Sequence, residues 1–174
     1  MKRAMAFARR NARELVRDPL TVGFSLGFPL VLLALLTIIQ RNIPVSMFEI
    51  DRLAPGVAAF GLTFAALFSA TLIARDRASS LMLRLCASPM RPGDFIAGYL
   101  APMLPLCAAQ IAVCYAAALA AGLHFDGNAI LSMLTLLPAA ALYVAIGLLC
   151  GTLLNDRQVG GVCGALLTNV CAWL

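Results

Sequence analysis

The chain is divided by the places where its charges are missing. No charged residue lies between Asp18 and Arg41, or between Arg52 and Arg75, and each gap is 22 residues long. From Phe95 to Phe125 the only side chain that could carry a proton-dependent charge near neutrality is His124. Gly127 to Asn155 adds 29 uncharged residues, and Gln158 to Leu174 another 17. About 20 mostly apolar residues wound as a helix cross the ~30 Å hydrocarbon core of a bilayer. The pattern therefore predicts hydrophobic segments at 20–40, 53–74, 95–122, 129–154 and 159–174, the first four being full spans. The predicted fold class is all-α, a polytopic membrane helix bundle.

The stretch before the first gap has a different period. With about 100° between successive helical residues, Ala4, Met5, Ala8, Ala12, Leu15 and Val16 share one face, and Lys2, Arg3, Arg9, Arg10, Arg13 and Arg17 lie opposite. This predicts an interfacial amphipathic helix over 1–18, apolar side toward the membrane and cations on anionic headgroups. Asp18-Pro19 then reads as a helix start, because an aspartate caps free backbone N–H groups and proline suits the first helical position. The segment 75–94 repeats the amphipathic theme. Ala78, Leu81, Met82, Leu85 and Cys86 recur at helical spacing, while Arg77, Ser80, Arg84 and Ser88 line another face. A short helix over 77–88 is expected, closed by Pro89. It is either a helix resting on the membrane or a docking element for a soluble partner.

Composition agrees with the pattern. The 174 residues are 62% hydrophobic and 12% charged, with a mean hydropathy of +0.93. Soluble domains run about 45–50% apolar and 25% charged, so a soluble fold and a disordered chain are both excluded. Eleven of the thirteen Lys and Arg fall on one side of the predicted topology, and only Arg41 and Arg52 on the other. By the positive-inside rule the N-terminus is cytoplasmic. The outer connections are too short for a folded domain.

The inventory of chemical groups is sparse. Lys2 is the sole lysine and follows no Gly-rich turn, so no nucleotide-binding P-loop is present. The predicted spans hold no Asp or Glu in their interiors, which disfavours ion-coupled transport. No Ser/His/Asp, Cys/His or paired-carboxylate group is available, so no catalytic residue is assigned. His124 stands without companions, so no metal site is assigned either. The six cysteines show no Cys-x-x-Cys spacing and read as packing residues. Three Gly-x-x-x-Gly spacings, Gly23/Gly27, Gly147/Gly151 and Gly160/Gly164, permit close helix contact. Pro29, Pro102, Pro105 and Pro138 fall inside predicted spans.

The run from Ala74 to Phe95 resembles the signature of ABC-2 type permeases, the membrane subunits of ATP-binding-cassette exporters. Asp76, Ser79-Ser80, Leu81, Leu85, Ser88-Pro89 and Asp94 occupy the places of its acidic residue, small pair, Leu-rich turn, Ser/Thr-Pro and span-opening acid. The family more often has Glu at the first of these and Gly-Thr at the pair. Arg17-Asp18-Pro19, the Leu53–Phe68 stretch and Gly151 through Gln158 are also similar to the family.

The resemblance implies a permease in which two protomers pair above two separate ABC ATPase subunits. ATP and Mg would be bound on those partners, with no cofactor on this chain and no nucleic acid involved. ATPase docking would fall to Arg77, Ser80, Leu81, Arg84 and Ser88. The substrate path would be flanked by the second and fifth spans, where Phe60, Thr63, Phe64, Leu67 and Thr71 share a face and Asn169 is polar. Ordinary helix packing is the competing reading of each of these. The expected function is export of a small amphipathic compound or lipid, as in multidrug efflux, across a bacterial inner membrane. A secondary transporter and a non-transporting multispan scaffold remain as alternatives. Family members usually have six spans. The final segment offers 16 residues, about 24 Å of helix, so truncation before the sixth span is expected.

Overall fold

The computed structural model describes residues 2–42, 50–79, 92–124 and 126–165. Nearly all of these residues are helical. An amphipathic helix α1 (Lys2–Arg17) leads into four long helices, α2 (Pro19–Asn42), α3 (Ile50–Ala78), α4 (Pro92–Ala120) and α5 (Gly127–Leu153). A single turn α6 (Asp156–Gln158) then runs into a π-helical turn at Val159–Cys163. All four long helices have the length and apolarity to cross a membrane. Most of the expected fifth segment, and of the expected 77–88 helix, lies outside the described residues.

The helix ends follow local chemistry. Asp18 Oδ1 accepts from the backbone N–H groups of Leu20 and Thr21 at 3.2 and 3.3 Å, and Oδ2 accepts from the Thr21 hydroxyl at 2.9 Å. These satisfy donors that the start of α2 would otherwise leave free. At the end of α4 the chain reverses at Gly122, whose φ is +111°. Gly122 N donates to Leu119 O at 3.1 Å and Leu123 N to Ala118 O at 2.9 Å, the paired bonds of a Schellman ending. Asn155 and Gln158 form a reciprocal capping box at α6.

Helix α3 is the centre of the bundle, with 61% of its apolar window buried against 17% in α2. Its buried face is built of small side chains: Ala54, Ala58, Ala65, Ala66, Ala70 and Ala74. Between helices in lipid there is little hydrophobic drive, so close backbone approach and hydrogen bonds set the pairing. Gly147 and Gly151 of α5 lie directly on this face. A Cβ at Gly147 would meet Ala66 O at 2.1 Å, and one at Gly151 would meet Ala70 O at 2.3 Å. The Ser69 hydroxyl spans the contact, donating to Ala66 O at 2.8 Å and to Val144 O at 3.3 Å. Leu62, Ile73, Tyr99, Met103, Ile111 and Val144 fill the core around it. The outside is apolar, with Leu20, Phe24, Val31, Leu35 and Ile38 of α2 and Leu131, Leu134, Leu142 and Leu149 of α5 all exposed. That surface suits acyl chains.

Helix α1 has three faces rather than two. Phe7, Asn11 and Leu15 are buried, and α1 packs chiefly against α4. Its Phe7 ring sits where a side chain at Gly98 would go, 2.2 Å from the position of a Cβ. Met5 and Val16, 73% and 77% exposed, form a separate apolar strip. Arg9, Arg13 and Arg17 occupy the remaining arc and are exposed. The expected single apolar face is thus divided, because Leu15 turns to the bundle while Met5 and Val16 turn away from it. Arg10 also leaves the expected cationic face, drawn toward an acid on α3.

Candidate functional site

Two features stand at the end of the bundle that carries α1. The first is a polar joint at the last turn of α3. Asp76 is 3% exposed, although the charge pattern places it in a polar loop. α3 runs on to Ala78 and carries the carboxylate into the packed interior. Arg10 reaches it with both guanidinium nitrogens, Nη1 to Oδ2 at 3.0 Å and Nη2 to Oδ1 at 3.1 Å. The hydroxyl of Tyr99 on α4 donates to Oδ2 at 2.8 Å. Three donors therefore hold one buried carboxylate, and a forked arginine is the side chain best shaped for two of them. Glu14 lies one helical turn along α1 and pairs with Arg10 at 2.8 Å. Partial burial works to lower the Arg10 pKa, and the bonds and charge of Asp76 outweigh it, holding the guanidinium above its ordinary value.

The joint is braced on both sides. Asn11 Nδ2 donates to Gly98 O at 3.1 Å in a buried contact. Phe7 stacks on Phe95 with centroids 5.9 Å apart and meets Tyr99 edge-on at 5.1 Å. Next along α3, the Arg77 guanidinium donates to Gly151 O at 3.1 Å and also to Thr152 O. These are carbonyls of the last turn of α5, where a cation both fills free acceptors and offsets the helix dipole.

The second feature is a groove of about 400 Å³ between α1, α2 and α3. Glu14, Asp18 and Arg75 form its charged end, and Phe24, Phe64 and Phe68 its apolar wall. The charged end continues into a basin lined by Arg9, Arg13 and Arg17.

Of the residues expected along the path, Phe64, Leu67 and Thr71 line this groove. Thr63 is buried, its hydroxyl donating to Phe60 O at 2.6 Å. Phe60 lines a separate recess with Leu32, Leu36 and Arg52, and its ring meets that of Phe28 at 6.1 Å. Asn169 lies outside the described residues. So do Ser80, Leu81, Arg84 and Ser88, which leaves Arg77 as the one described member of the expected docking set. Sequence reasoning missed Arg10, Asn11 and Tyr99 as a set. Asn11 was the available signal: a polar residue between Phe7 and Leu15 at helical spacing. Gln110, wholly buried in α4 with its amide nitrogen 3.4 Å from Ala58 O, was also detectable as a lone strong polar group in an uncharged run.

The cap at Asp18 gives a local test. Its carboxylate is held below the ordinary value of 3.8, first by the Thr21 hydroxyl and then by the Thr21 backbone N–H. Because the folded value is the lower one, the stabilisation is complete above the ordinary range and is lost as pH falls through the folded value. Asp18→Ala should cost about 1 kcal/mol, read as a lower thermal midpoint of the detergent-solubilised protein near neutral pH. The gap between variant and parent should narrow at acid pH.

A model of the family described as ABC-2 type transporter matches residues 3–174. No curated protein and no solved structure matches the chain.

Proposed function

Because the chain belongs to the ABC-2 type transporter family, an integral membrane permease family without catalysis of its own, we propose that it is the membrane subunit of an ATP-driven exporter for small amphipathic compounds or lipids. The energy comes from a separate ABC ATPase that binds ATP and Mg. Two permease protomers pair in the working assembly. The N-terminus and segment 75–94 face the cytoplasm of a bacterial cell, with the bundle in its inner membrane. The ATPase docks on Arg77, Ser80, Leu81, Arg84 and Ser88.

The observation that supports this best is the groove. It joins a charged end to an aromatic wall at the basic end of the bundle, and an amphipathic molecule has the same two-part chemistry. Phe64, Leu67 and Thr71 carry the contact with its apolar part, and Asn169 of the fifth segment belongs to the same path. Phe60 and Thr63 act through packing of that wall.

Co-expression of the full chain with a candidate ATPase carrying Gly-x-x-x-x-Gly-Lys-Ser/Thr tests the reading. The two should co-purify, and amphiphiles should stimulate ATP hydrolysis in proteoliposomes. Thr71→Trp, which fills the groove, should abolish the stimulation and leave basal hydrolysis in place. Arg77→Glu and Arg84→Glu should uncouple the two subunits. A chain that co-purifies with no ATPase is not this permease. A stimulation untouched by Thr71→Trp removes the groove from the path.

A further inference from the structure

We propose that Asp76 and Arg77 form a transmission joint that makes helix α1 move with the docking segment, so that α1 is a working lever and not only a membrane anchor. This rests on the ATPase-docking reading above. The two residues lie in the last turn of α3, where the docking segment 77–88 begins. Asp76 binds α1 through the two-pronged contact of Arg10, with both oxygens engaged at 3.0 and 3.1 Å. It binds α4 through Tyr99 at 2.8 Å. Arg77 binds the last turn of α5 through Gly151 O and Thr152 O. One two-residue step thus has a polar grip on three other helices. A displacement of the segment that follows it is delivered to all three.

The grip on α1 is the informative one. Its contact with Asp76 is charge-assisted, two-pronged and buried at the carboxylate, which makes it stiff in both distance and orientation. Its other polar anchor is Asn11, which donates to Gly98 O of α4 and accepts from Arg10 Nη1 at 2.9 Å, without touching the α3 terminus itself. The two anchors touch, but only Arg10 reaches the end of α3. Asn11 holds α1 against the bundle, and Arg10 tells it where the end of α3 is.

The test uses the full chain assembled with its ATPase in nanodiscs. An environment-sensitive fluorescent amino acid is placed at Met5 by codon suppression. Met5 is 73% exposed and makes no part of the joint. Binding of a non-hydrolysable ATP analogue should change its emission in the parent protein. Asp76→Asn and Arg10→Lys, which keep the volume and most donors but weaken or narrow the two-pronged bond, should lose that change. Asn11→Ala removes the bond to Gly98 O and one acceptor of Arg10 but leaves both bonds to Asp76, so it should retain most of that change while lowering thermal stability. A signal that survives Asp76→Asn and Arg10→Lys in the assembled complex overturns the joint. So does a signal lost equally in Asn11→Ala, since α1 would then need only to be anchored. Failure of the parent chain to bind any ATPase overturns the docking reading, and the joint with it.

Discussion

Gly147→Val should strongly destabilise the bundle. The Cβ alone would lie 2.1 Å from Ala66 O, 2.2 Å from Ser69 Oγ and 2.8 Å from the Ala66 carbonyl carbon. Two of those atoms are backbone and cannot rotate away, so α3 and α5 must separate along their contact. Separation also stretches the bond from Ser69 Oγ to Val144 O, already 3.3 Å long. Overpacking of this kind costs about 3 kcal/mol, near the upper end because rigid main chain stands on one side. The expected readout is a large fall in the thermal midpoint of the detergent-solubilised protein, with loss of the monodisperse fraction. Gly23→Val supplies the contrast. It belongs to the same kind of Gly-x-x-x-Gly pair, but a Cβ there meets nothing within 4 Å, and it should be close to neutral. Equal effects at the two positions would refute the helix pairing described above.

The second large effect is an asymmetry at the polar joint. The Asp76 side chain is 4% exposed and that of Arg10 39%. Removing the arginine therefore strands a buried charge, whereas neutralising the aspartate leaves a cation that still reaches water. Arg10→Met should cost about 3–5 kcal/mol, because it takes away both guanidinium donors of the carboxylate and leaves it the Tyr99 hydroxyl. Asp76→Asn keeps an acceptor for Tyr99 and for Arg10 and should cost about 1–2 kcal/mol. Combining Arg10→Met with Asp76→Asn should be milder than Arg10→Met alone, because the stranded charge is gone. Thermal unfolding of the three variants in one detergent gives the order. A double variant at least as unstable as the sum of the singles would show that the pair does not act through the buried charge.

Much of the fold was legible because lipid forbids charge. The gaps between Asp18 and Arg41 and between Arg52 and Arg75 locate α2 and α3 with no knowledge of packing. The cap at Asp18 was legible for a similar reason, because it uses local chemistry that a short window contains. Other features depend on partners distant in sequence. Gly23/Gly27 and Gly147/Gly151 are the same motif on paper, and only the arrangement of α3 decides that one of them packs. Asp76 reads as a loop acid because the residues that hold it, Arg10 and Tyr99, are far away along the chain. The face of α1 was misjudged for a related reason. The apolar face was drawn through Met5 and Val16 and left out Phe7 and Asn11, yet Gly98 O satisfies the Asn11 amide in the interior, so the buried strip is Phe7, Asn11 and Leu15. The path residues divided because a shared helical face is wider than a groove: Phe64, Leu67 and Thr71 reach it, while Thr63 faces the packed side.

The proposed function stands or falls with docking of an ATPase on segment 77–88 at the cytoplasmic side. A photo-crosslinking amino acid at Leu81, incorporated into the full chain in native membranes, tests it most directly. An adduct with a soluble subunit bearing a nucleotide-binding P-loop is expected, weakened by Arg84→Glu. Crosslinks to lipid alone, with no ATPase adduct in the presence or absence of ATP, would contradict it.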